Sequence, residues 1–342
     1  MAKEIARRGP GVQKTPDMSP RPVSPKTAWI ISPGQVGMKA QCRGIAEALG
    51  LAYEFRDVRF RFPFTWLPEP ALVGDPFTKL HAGSARVDPP WPDVAITLGS
   101  RCAPIGVAMK RASGGAVTAI HVQRPGVPVG WLDAVIAPWH DQVRGENVIE
   151  TVAALHHVTP AKLDAARTQW APQFAGLKRP LVAFLLGGSN GWRRFRMTDA
   201  AVANIADGIA RLAKAGCGIA LTPSRRTDPA ASAKLRAAAL ATGGYAWDGQ
   251  GENPYLGLLA CADAIVVTED SVSMTSEALS TGKPVFVAQL EGRSGRIAAF
   301  QAEMQRKGLT RNFDGVFATW RYTPPDDTAR AAALVRARFG WG

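Results

Sequence analysis

Short, unbroken apolar runs alternate along this chain with longer segments whose apolar residues recur at helical spacing. Residues 28–32 form the first run, and the turn PGQVG after it leads into a helix over residues 38–49 that Gly50 closes. Residues 53–60 predict a second strand and residues 93–98 a third, followed by GSRCAP and a short helix to about residue 111. Residues 116–122 and 132–137 are further buried strands. Continuous apolar strands alternating with helices predict a parallel sheet covered on both faces, with right-handed crossovers. Residues 171–180, APQFAGLKRP, carry Pro and Gly without periodicity and read as an interdomain linker. The series then restarts. A strand at residues 180–186 runs into GGSNG, a helix covers residues 198–215, and a strand at 218–222 ends in PSRRT. A helix follows at 229–241, then a short strand at 245–247 before DGQGE, with Asn253 and Pro254 placed as N-cap and first helical residue. Residues 264–267 are another strand, residues 268–271 a polar turn, and the next helix ends at Gly282, before a strand from Pro284. A last helix covers residues 326–338.

The expectation is therefore an α/β protein of two Rossmann-like, doubly wound domains, residues 27–172 and 173–324, a division that 342 residues accommodate. Residues 1–26 read as a disordered, basic, Pro-rich arm, and residues 325–342 as a terminal helix. No apolar run reaches the roughly 18–20 residues that span a bilayer, and the amino terminus lacks the apolar centre of a secretory signal. Cys42, Cys102, Cys217 and Cys261 are scattered without metal-site or disulfide spacing and read as buried thiols of a reducing, cytosolic compartment.

A formal net charge of +13 asks for an acidic partner or, in part, serves solubility. No zinc-finger, RNP or basic-zipper pattern points to specific nucleic-acid binding. An anionic membrane surface, with the protein peripheral on its inner face, or a phosphorylated substrate fits this balance. Between the second and third strands lies a long irregular region, residues 61–92. Its approach interleaves Arg56, Arg59 and Arg61 with Phe60, Phe62, Phe64, Trp66 and Leu67. That pattern is either an edge strand with one buried face or a basic, aromatic patch that settles into a lipid interface.

Candidate chemistry collects at four loops that follow strands of the second domain, where ligands of open α/β sheets gather. Gly187 and Gly188, with Ser189 and Asn190, form a turn that lets backbone approach a phosphate, and Arg193, Arg194 and Arg196 follow. The absence of Gly-Lys-Ser/Thr excludes a P-loop. Ser224, Arg225 and Arg226 end the next strand, where either guanidinium could clamp a diphosphate. Glu252 and Asn253 close the third loop. In the fourth, Thr268, Ser271, Ser273 and Thr275 surround the free amides of a helix start, a ready anion site. Glu269 and Asp270 lie in the turn, Met274 in the first helical turn, and Glu277 about two turns in. Each has a plain structural alternative: a tight turn, a solvated basic run, an ordinary strand–helix–strand.

Glu-x7-Glu followed by ALSTGKPV resembles the donor-site signature of GT-B glycosyltransferases. Three stretches, WDGQGENPYLGLLACADAIVVTEDSVSMTSEALSTGKPV, LTPSRRT and PWHDQVRGENV with LHHVT, resemble the mitochondrial-fission ELM-type family over roughly residues 28–338. The resemblance implies two GT-B domains facing a cleft, with the last helix crossing back to the first domain. It implies a nucleotide-sugar on the second domain, the base near residues 249–253, the ribose on Glu277 and the diphosphate on residues 271–274. No metal or separate cofactor is implied, since positive groups and helix dipoles offset the leaving diphosphate. The first domain would present an envelope- or lipid-linked acceptor and the base. PGQVG holds neither His nor Asp, so His140 and Asp141 are the candidate acid–base pair, with His121, His156 and His157 ranking lower. The expected function is glycosyl transfer. The alternatives are a non-catalytic scaffold that recruits a partner, as eukaryotic relatives recruit a division GTPase, or a nucleotide-sugar epimerase.

Overall fold

The computed structural model describes residues 26–34, 36–189, 195–292 and 295–341. Asn190, Arg193 and Arg194 of the predicted glycine turn, and all but Lys26 of the basic arm, lie outside the described residues.

The first half is built from β1 (Thr27–Ser32), α1 (Val36–Ala48), β2 (Ala52–Asp57), β3 (Val94–Leu98), α2 (Ala103–Ala112), β4 (Thr118–Val122), β5 (Ala134–Pro138) and β6 (Val148–Thr151). Its sheet runs β2-β1-β3-β4-β5-β6 with every pair parallel. β3 and β4 are buried at every position because helices cover both faces, which is why they read as continuous apolar runs. β6, an edge strand of only four residues with Glu150 exposed, carries no such signal.

The second half comprises α3 (Pro160–Phe174), β7 (Leu181–Leu186), α4 (Asp199–Lys214), β8 (Gly218–Pro223), α5 (Pro229–Ala241), β9 (Tyr245–Ala246), α6 (Tyr255–Cys261), β10 (Ala264–Thr268), α7 (Val272–Leu279), β11 (Val285–Ala288), α8 (Gly295–Arg306), β12 (Thr310–Asn312) and α9 (Asp327–Phe339). The sheet order is β12-β11-β10-β7-β8-β9, again parallel. Both sheets reverse direction of growth, the first between β1 and β3 and the second between β7 and β10, the doubly wound arrangement that leaves a crevice at the carboxyl ends.

The linker expectation is corrected at its amino end. Residues 171–174 complete α3, and Trp170 and Phe174 join Leu181 and Ala183 of β7 and Leu258 of α6 in the core of the second sheet. Only residues 175–180 remain as connection. α9 packs the other way: Ala331, Ala332 and Val335 join Ile30, Ile45 and Ile96 in the core of the first sheet. At its start the Asp327 carboxylate accepts the backbone N–H groups of Val152 and Ala153, tying the last helix to the segment where the chain leaves the first sheet. Residues 61–92 are ordered around Leu72 and Val87, both buried against β1, β3 and α2.

Candidate active site

The carboxyl ends of the two sheets face one another. Gln41 of α1 donates to Ser273 Oγ at 3.4 Å and accepts from Gln123, at the end of β4, at 3.2 Å. Beyond β5, Asp141 receives Arg296 of α8 at 3.1 Å, and the His140 ring meets Phe300 edge-on at 5.8 Å. Four predicted loops of the second domain lie on this rim, after β7, β8, β9 and β10.

Asp270 knits three of them. Its carboxylate is buried and accepts from Thr268 Oγ1 at 2.7 Å, from Gly188 N at 3.2 Å and from Arg226 Nη2 at 2.7 Å. Gly187 donates to Thr268 Oγ1, and Thr227 Oγ1 donates to the Leu186 and Gly187 carbonyls. The two glycines are required by the protein itself. A Cβ on Gly187 would lie 2.1 Å from Asp270 Oδ1, and one on Gly188 would lie 1.9 Å from the Arg226 carbonyl oxygen. The Cβ side of these glycines is thus filled by the chain's own atoms, and their amides are taken by Thr268 and Asp270. Arg225 and Arg226 are both exposed, and Arg226 is engaged by Asp270. Ser224 Oγ accepts from Arg226 N within its own turn, Ser189 Oγ from Met197 N, and Arg196 pairs with Glu291 at 3.5 Å. Glu252 is exposed and accepts from Gln169 at 2.7 Å. Asn253 Oδ1 accepts from Tyr255 N at 3.0 Å, but the N-cap of α6 is Pro254, which brings no side-chain bond, so the helix starts one residue later than expected.

At the start of α7, Ser271 is the N-cap and accepts from Met274 N at 3.2 Å, while Thr275 Oγ1 donates to the Ser271 carbonyl. Those hydroxyls are spent on the helix. The Val272 and Ser273 amides have no partner among the described residues, so the helix retains two free donors at its positive end. Glu277 is buried on the same helix. Burial pushes its carboxyl up to about 7, against the lowering effect of the Tyr255 hydroxyl that donates to it. Tyr255 is itself raised well above its ordinary value by burial and by this carboxylate. Glu269 accepts from Leu290 N at 3.2 Å, and burial raises its carboxyl as well.

Across the cleft, the expected acid–base pair does not form a pair. Asp141 turns to Arg296, and His140 Nδ1 is buried without a hydrogen-bond partner among the described residues. Burial lowers the imidazole pKa, with smaller contributions from Asp141, which raises it, and Arg296, which lowers it. His121 is fully buried against Thr97 Oγ1 at 2.8 Å, and burial takes it down to about 3. His156 is held by Thr328, a core position. Among the described residues no group of His, Cys, Asp and Glu could hold a metal ion.

Sequence reasoning missed Gln41, Gln123, Tyr255 and Arg296, because each acts across elements far apart in the chain. It also left Lys283 unassigned. Its ammonium donates to the Leu259 and Ala260 carbonyls at 2.6 and 2.8 Å, capping α6, and burial lowers it to about 8. Part of the STGKPV signature is therefore a structural clamp. A groove of about 790 Å³ lined by Trp29, Tyr53 and Trp91 lies at the amino ends of β1 and β2, away from the rims.

Two doubly wound sheets meeting at their carboxyl rims, with a helix returning from the end of the chain to the first domain, define a GT-B-type protein. The UDP-GlcNAc 2-epimerase of Methanocaldococcus jannaschii has this fold, with a TM-score of 0.50 at 14% identity over 93% of this chain and 100% of that one. The chain belongs to the family described as mitochondrial fission ELM1, which it matches over residues 36–339. The mitochondrial fission protein ELM1 of Arabidopsis thaliana is 32% identical over 284 residues, 73% of this chain; the match spans 65% of that relative's length. An uncharacterized protein of Rickettsia prowazekii (strain Madrid E) is 24% identical over 349 residues, 90% of this chain and 97% of the relative.

Proposed function

We propose that the protein binds a nucleoside-diphosphate sugar between its rims and transfers the sugar, without a metal or separate cofactor, to an acceptor held by the first domain. The observation that carries this reading is the start of α7. Two unpartnered amides at a helix N-terminus face the opposite domain, and a buried carboxylate stands further along the same helix. The amides suit a diphosphate, and Glu277, with Tyr255 as its donor, suits a ribose diol. Arg225, exposed at the end of β8, is the guanidinium left to offset phosphate charge. Donor specificity, acceptor and stereochemical outcome belong to the same proposal.

The expected result is stabilisation by a nucleoside diphosphate or its sugar conjugate, roughly 2.7 kcal/mol at about one hundred times Kd. Thermal unfolding with uridine, guanosine, adenosine and thymidine diphosphates and conjugates measures it. No shift with any of them removes the donor site from the reading.

A second reading, a GT-B binding protein without turnover, draws support from the disengaged His140 and Asp141. Stabilisation by a diphosphate sugar, with neither nucleoside diphosphate released nor sugar epimerised over long incubation, selects it.

A further inference from the structure

The loop after β2 carries an aromatic tip with no partner in the fold. Val58 and Phe60 alternate inward, as an edge strand would, but Phe62 is 69% exposed and Trp66 82%, with Leu67 at 38% beside them. The Phe62 and Trp66 rings meet edge-to-face at 5.3 Å. The tip is held in place. Arg101 donates to the carbonyls of Phe64, Thr65 and Leu67, and Trp66 N to the Pro63 carbonyl at 3.0 Å. Short backbone bonds from Arg61 to Lys79 and from His81 to Arg59 close the base of the loop.

Cations flank the rings. Arg61 and Lys79 both sit over the Phe64 ring, at 5.6 and 5.8 Å, and Arg59 is exposed on the same strand edge. Two acids of the same loop, Glu69 and Asp75, accept from the Ser100 and Thr78 hydroxyls, and the three cations Arg59, Arg61 and Lys79 outnumber them. We propose that this tip is a membrane-docking wedge, in which Phe62, Trp66 and Leu67 enter the interface of an anionic bilayer while Arg59, Arg61 and Lys79 meet its head groups. Three apolar side chains offer far less than the ~800 Å² per partner of a stable protein interface. Aromatic rings ringed by arginine and lysine are what a lipid interface takes up, and a protein of net charge +13 is drawn to an anionic one.

The position of the wedge links it to the cleft. Arg101, which grips the loop, follows the carboxyl end of β3, adjacent to β4, whose end faces the second domain through Gln123. A docked molecule presents the first-domain side of its cleft to the head groups. A lipid-linked acceptor follows from this orientation and rests on the transfer reading; the docking itself does not depend on it.

Co-sedimentation of the full chain with phosphatidylcholine vesicles, with and without phosphatidylglycerol, tests the proposal. The protein pellets with anionic vesicles at low salt, is released as salt rises, and stays in the supernatant with neutral ones. The Phe62→Ser/Trp66→Ser double variant binds at least about tenfold more weakly with an unchanged melting temperature, since both rings are exposed. Arg61→Glu/Lys79→Glu weakens binding likewise. Undiminished sedimentation of the double aromatic variant would overturn the wedge and move binding to the basic arm at residues 1–26. Absence of wild-type sedimentation would overturn it too. Nucleotide stabilisation, measured separately, keeps failure of the wedge distinct from failure of the donor site.

Discussion

Glu277 shows how one side chain couples the candidate site to stability. Its folded carboxyl titrates at about 7 against an ordinary 4.5, so the folded protein holds this proton more tightly than the unfolded chain. The group's contribution is therefore fully present below about pH 4.5, declines as pH rises and is gone above about 7. A displacement of this size corresponds to about 3 kcal/mol at most. Glu277→Gln keeps the shape and the Tyr255 hydrogen bond and removes the titration. Its melting temperature is expected to approach or fall below that of the wild type at pH 5 and exceed it at pH 8. Parallel curves for the two proteins across that range would place the carboxylate in a well-solvated setting. Nucleotide affinity of the same variant should fall by roughly 1.5–3 kcal/mol, the range for bonds to charged groups, as read by titration calorimetry. Glu277 was legible from Glu-x7-Glu. Tyr255, twenty-two positions upstream, was not, because nothing in a linear pattern shows which phenol closes over which carboxylate.

At the level of elements, the loops after β7, β8 and β10 form one unit around Asp270, and the glycines that signalled a phosphate turn serve that unit first. Gly188→Ala drives a methyl group onto the Arg226 carbonyl, so backbone must move. The expected loss is roughly 1–3 kcal/mol, the usual range for overpacking, measured by urea denaturation. If Gly188→Ala were as stable as the wild type and lost only ligand affinity, the glycine would belong to ligand approach instead. The helix and strand series itself was readable because every strand between covered faces must be apolar throughout. β6 and β12, short edge strands, escaped for the opposite reason. α3 was hidden as well: its buried residues, Ala166, Trp170 and Phe174, are few, and its Pro172 reads as a breaker although it sits in the last turn.

For the whole molecule, the last helix decides how the halves are joined. Val335 is fully buried in the core of the first sheet although it lies after every residue of the second. Val335→Ala should destabilise the first domain by roughly 1–3 kcal/mol, from lost burial plus the cavity left behind. Hydrogen exchange that loosens β1 and β3 while β7 and β10 stay protected would show it. Equal loosening of both sheets would mean that the domains unfold as one. The sequence alone carries the alternation of strand and helix, the two repeats, the basic balance and most of the rim residues, because these follow from local period, turn chemistry and the rule that loops at strand ends meet on one edge. It does not carry the pairing of Asp141 with Arg296 instead of His140, the filling of the glycine turn by Asp270, or the exposure of Phe62 and Trp66 where Phe60 is buried. Those depend on distances between segments remote in the chain: Asp141 and Arg296 meet across the two domains, whereas Asp270 and the glycine turn, or Phe60 and its core, meet within one, and neither kind of distance is written in a linear pattern.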